Sequence, residues 1–104
     1  MEKVTRDKLE TYRSKKAEIE ELHELQDGGG AGDAAASARR KIMAGRLLKE
    51  CHEVEQWVDN IQDDRTRRVV RLYFLQGVKQ RQIARKLYLS QSSVSRIISD
   101  AAEL

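Results

Sequence analysis

Gln91, Ser92, Ser93, Ser95 and Arg96 stand close together in "LSQSSVSRI", residues 89–97. On one helix these types suit the major groove of DNA. Short hydroxyls let a helix backbone sit deep, and Gln and Arg carry the paired donors and acceptors that base edges require. Arg96, if bidentate to a guanine, would discriminate against a wrong base by about 1–3 kcal/mol. Lys79, Arg81, Arg85, Lys86 and Ser90 lie just upstream and are the expected phosphate contacts, which position a protein on a duplex without reading it. From Arg65 to Ser99 the chain carries nine basic residues and no Asp or Glu. An acid there would repel the phosphate backbone, so its absence suits this chemistry.

Such side chains need a rigid mount. Ile83, Ala84 and Leu87 fall on one face of a short helix, Leu89 sits in a turn, and Val94, Ile97 and Ile98 supply the buried side of the next helix. Ala84 allows the two helices to cross closely, with Val94 opposite, and Ser90 is placed to cap the second one. This is helix-turn-helix spacing, with 91–99 as the recognition helix. Upstream, "DDRTRRVVRLYFLQG" predicts a third helix, capped by Asp63 or Asp64 and stopped by Gly77 in a left-handed conformation. Its apolar surface centres the expected core of a module spanning 63–104.

The rest of the chain has a different charge. Of 104 residues, the first 64 hold fifteen of the seventeen acids against eleven bases, although the whole chain is +3. Asp27 to Ala38, "DGGGAGDAAASA", reads as a flexible connection between helices over roughly 4–26 and 38–62. Leu9, Tyr12, Ile19 and Leu22 form one narrow apolar seam. Met43, Leu47, Cys51, Val54, Val58 and Ile61 form another, with Trp57 beside it. Each helix starts basic and ends acidic, against the preference of the helix dipole. Folding back at the glycines opposes these blocks: Glu24 near Lys41, Glu18 near Arg46 or Lys49, Lys15 near Glu50, Arg13 near Glu53. An antiparallel, coiled-coil-like hairpin over 1–62 is therefore expected. The same contacts could form between two chains, so a homodimer through the hairpin stays open. The fold class is all-α: a helical hairpin followed by a three-helix helix-turn-helix module.

Residues 67–97 resemble the fourth conserved region of bacterial sigma factors. They are similar also to the sigma-like helix-turn-helix of small phage regulators of the ArpU and RinA kind. The residues that carry the likeness are Tyr73, Phe74 and Gly77, then Gln80, Ile83 and Ala84, then 89–97. The resemblance implies a reader of a promoter −35 element that also contacts RNA polymerase. It implies base reading by Gln91, Ser92, Ser93 and Arg96, and phosphate contacts by Arg81 and Arg85. Tyr88 stands where the family usually has a turn glycine, and Lys79 where a Ser or Thr would cap. A hairpin stands in place of the sigma regions that melt promoters, so the layout resembles a small phage or prophage regulator more than a complete sigma factor.

Other chemistry finds little support. Cys51 and His52 are adjacent, and neighbouring helical residues point about 100° apart, a poor basis for a shared metal site. "GGGAG" lacks the preceding strand and following Lys-Ser/Thr of a phosphate loop. No catalytic constellation emerges, so neither an enzyme nor a cofactor is expected. Met1-Glu2-Lys3 lacks a signal peptide's apolar core, no apolar run suits a membrane, and Cys51 is the single cysteine. A bacterial or phage-infected cytoplasm is the expected setting. The expected function is sequence-specific transcriptional regulation on double-stranded DNA. Two alternatives stay open: the DNA-recognition subunit of a mobile-element machine, such as a transposase accessory or small terminase protein, which would use the same helix-turn-helix, and a helical adaptor whose basic face meets an acidic protein.

Overall fold

The computed structural model describes residues 4–27 and 34–102, and every element among them is helical. Helix α1 spans Arg6–Asp27 and α2 spans Ala34–Asp59. Helix α3, Asp64–Val70, runs on into a π-helical turn, Arg71–Leu75; α4 spans Gln80–Leu87 and α5 Gln91–Ala102. Of the connection expected over 27–38, the described residues are helical: Asp27 belongs to α1 and 34–38 to α2, where four alanines are strong helix formers. The glycines at 28–30 and 32 lie outside the described residues.

Helices α1 and α2 pack antiparallel, and charges cross between them. Lys15 meets Glu50 at 3.1 Å as expected, while Glu53 takes Lys8 at 3.5 Å in place of Arg13. Lys16 approaches Glu55 at 3.9 Å. Arg13 is diverted: its guanidinium lies over Gly77, where an added Cβ would clash with it. The other expected pairs, Glu24 with Lys41 and Glu18 with Arg46 or Lys49, do not form; all five side chains are exposed and none has an ion pair with a described residue. Below the charges, Leu9, Tyr12 and Ile19 of α1 share one cluster with Cys51, Val54 and Val58 of α2, while Leu22 is buried farther along. Met43, expected in that seam, is half-exposed although Leu22 is buried, so the seam closes less fully in the half farther from the chain's C-terminal helices.

Burial pushes the Tyr12 phenol up to about 12, with the Glu55 carboxylate beside it adding to the effect. It raises the Cys51 thiol as well, making a poor nucleophile of a wholly buried sulfur. His52 next to it is exposed, so the two side chains diverge.

The hairpin and the C-terminal helices share one core. Leu9, Tyr12 and Val58 belong to the same apolar cluster as Val69, Val70, Phe74, Ile83, Val94 and Ile98. Trp57 and Ile61 are half-buried against it. Two polar links cross the junction: Arg71 pairs with Asp59, and the Arg67 guanidinium donates to the Ile61 carbonyl at 2.9 Å.

The π turn replaces the regular end expected for the third helix. Gln76 N–H donates to the Arg71 carbonyl at 3.1 Å, five residues back. Six of the seven residues from Val69 to Leu75 are apolar, too many for one face of a regular helix. The wider turn re-aims the last of them, leaving Phe74 buried and Leu72, Tyr73 and Leu75 half-buried. Val78 N–H then reaches the Leu72 carbonyl at 2.9 Å, and Gly77 at φ 71° makes the left-handed stop.

Candidate nucleic-acid interface

The mount begins at Asp63. Its carboxylate accepts from both the amide (2.9 Å) and the hydroxyl (2.7 Å) of Thr66, capping α3. Those bonds, the hydroxyl's first, hold the Asp63 carboxyl below its ordinary range. Helix α4 seats Ile83 and Ala84 in the core and turns Arg81, Gln82, Arg85 and Lys86 outward. Its N-cap position holds Lys79 in extended conformation, with no side-chain cap, so its first amides remain open to an anion.

Between α4 and α5 the chain turns through Tyr88 at φ 56°, ψ 45°. A left-handed conformation costs a side chain about 1–2 kcal/mol relative to glycine. Tyr88 is 95% exposed, so packing offsets little of that strain. Leu89 N–H donates to the Ala84 carbonyl at 2.9 Å and closes the turn. Ser90 caps α5 by accepting from Ser93 N–H at 3.1 Å, while its hydroxyl lies 2.8 Å from that of Ser93 and 3.3 Å from that of Ser92.

Helix α5 is anchored by Val94, Ile98 and Ala101 and runs three residues past the expected 91–99. Its opposite face carries Ser92, Ser95, Arg96 and Ser99, a stripe at i, i+3, i+4 and i+7, all exposed, with Gln91 exposed at its start. Ser93 differs from its expected companions. It is half-buried and bonded into the cap, so it does not share the outward stripe.

The phosphate candidates fall into two groups. Lys79, Arg81 and Arg85 line one groove of about 530 Å³ together with Gln80, Gln82 and Gln91, so the starts of α4 and α5 form a single concave surface. Lys86 lies apart, in a depression with Tyr88, Arg65, Arg68, Asp63 and Asp64. Ser90 remains at the α5 start, its oxygen engaged in the cap. Sequence reading did not single out Gln82, whose signal was its place on the outer face of α4, three residues before Arg85.

The acid-free run is also not one basic field. Arg67 and Arg68 pair with Asp64, and Arg71 pairs with Asp59. Lys79, Arg81, Arg85 and Arg96 are exposed and form no ion pair with a described residue. Three of the arginines serve the fold, and the cations of α4 and α5 stay available to a polyanion. Among the described residues no helix is long and apolar enough to cross a membrane.

Residues 63–103 match the family model of sigma-70 region 4, a helix-turn-helix. The matched segment covers α3 through α5 and leaves the hairpin outside. Neither the curated proteins nor the solved structures show a match to the chain.

Proposed function

From a sigma-70 region 4 module on residues 63–103, we propose that the protein is a sequence-specific DNA-binding transcriptional regulator of the small phage or prophage type. It reads a promoter-like element with α5. The observation that carries this reading is the uncompensated face of α4 and α5: a polar stripe and a cationic groove, side by side on helices whose other sides are locked in the core. Gln91, Ser92, Ser95 and Arg96 read bases, with Arg96 the strongest contact. Lys79, Arg81 and Arg85, with the open amides of α4, hold phosphates on the rim of the groove. RNA polymerase is the proposed protein partner, on the ground that region 4 modules join a DNA reader to the transcription machinery.

The test is to incubate the protein with random duplexes at physiological ionic strength and sequence the bound fraction. An enriched motif is the expected outcome. Binding without a motif, or no binding, sinks the reading and favours a helical adaptor, because phosphate contacts alone give weak, salt-sensitive association.

A further inference from the structure

The half of the hairpin far from the DNA-facing helices is unfinished as a monomer surface. Four of the five large apolar side chains exposed among the described residues lie there: Leu25, Ile42, Met43 and Leu48. Ile42 is the barest, 66% exposed. One of them, Leu48, walls a groove between α1 and α2 together with Leu22, Ala44 and Gly45. A Cβ built on Gly45 would meet nothing within 4 Å, so the floor of this face admits close approach. Arg40, at the groove's rim, has a buried Nε without a hydrogen-bond partner among the described residues.

The charges there are sorted by helix. Glu18, Glu20, Glu21 and Glu24 stand exposed on α1; Arg39, Lys41, Arg46 and Lys49 stand exposed on α2. None of the eight forms an ion pair with a described residue, whereas in the nearer half Lys8, Lys15 and Lys16 meet Glu53, Glu50 and Glu55. One chain thus offers an acidic face and a basic face at the same end, flanking bare apolar side chains. A two-fold related copy presents each face with its opposite. A foreign partner would have to match two faces of opposite sign.

We propose that this half of the hairpin is a self-complementary docking surface for a second copy of the chain. The acidic face of α1 lies against the partner's basic α2, and the apolar side chains close between them. This goes beyond DNA reading and is measured without DNA. If both hold, two recognition helices are carried on one two-fold axis, and the bound element is an inverted repeat.

Sedimentation equilibrium of the full chain tests it. A dimer is expected, weakened by salt, with Ile42→Asp raising its dissociation constant roughly tenfold or more. The triple reversals E20K/E21K/E24K and R39E/K41E/R46E are each expected to be monomeric, and their equimolar mixture to restore a heterodimer, since both contacts then regain opposite signs. A monomeric wild-type chain overturns the proposal. So does a dimer that follows the charge reversals but ignores Ile42→Asp, because it would come from exchange of helices across residues 28–33. Should a reversal variant lose helicity, Ile42→Asp alone decides, since that side chain is too exposed for its loss to unfold the hairpin.

Discussion

The hairpin and the helix-turn-helix module use cations in opposite ways. On the near half of the hairpin, Lys8, Lys15 and Lys16 face carboxylates across the seam. On α4 and α5, Lys79, Arg81, Arg85 and Arg96 face only solvent. Exposed ion pairs contribute little, typically about 0–1 kcal/mol each, so the hairpin's pairs serve register more than stability. Cations kept away from carboxylates retain their full charge for a polyanion, and each phosphate contact then releases counterions. The same residue types meet carboxylates in one region and stand without an ion pair to any described residue in the other.

The comparison breaks first at the shared core. Leu9 is 1% exposed on α1 and belongs to the cluster that includes the module's residues. Leu9→Ala should cost about 2–5 kcal/mol and move one cooperative transition. Two separate transitions in calorimetry would show that the regions fold independently. Arg96→Ala sharpens the contrast from the other side. It should weaken binding to the selected duplex by about 1–3 kcal/mol while leaving Tm unchanged, because Arg96 is exposed and forms no ion pair with a described residue. Replacing Arg81 or Arg85 by Ala should act alike on every sequence and lower the salt slope by roughly one each.

Tyr88→Gly should raise stability by about 1 kcal/mol, the relief of left-handed strain less the entropy glycine adds to the unfolded chain. An unchanged or lower Tm would mean that Tyr88 holds the turn by a contact of its own. A pH series isolates the hairpin. In the unfolded chain the Tyr12 phenol ionises near 10, but in the fold it keeps its proton to about 12. The folded state therefore binds more protons in that window, and stability falls as pH rises through it. Tyr12→Phe should flatten that fall, measured by denaturant unfolding at each pH. Glu50→Gln is the smallest effect, about 0.2–1 kcal/mol, and should vanish at high salt.

Much of the module was legible in the chain because its constraints are local. Gly77 takes the positive φ expected of a helix stop, Ser90 accepts from the amide three residues on, and the apolar spacing of Ile83, Ala84 and Val94 marks the buried sides. Each depends on residues within a turn or two. The hairpin was legible only as a pattern. Lys15 found Glu50, but Arg13 left Glu53 for Gly77, because partners across a seam depend on what else lies within reach of a long side chain.

What the sequence determined by itself was the helical class, the acid-free charge of the C-terminal third and, Ser93 apart, the identity of the outward stripe on α5. These follow from propensity, period and charge, which act between near neighbours along the chain. Only the tertiary structure decided that the hairpin and the module share one core, that a π turn re-aims the Phe74 region, and that Ser93 belongs to a cap while Ser92 does not leave the stripe. It alone separated the arginines that close the fold from the cations left free, since a charge is spent or kept according to distances between residues far apart in sequence.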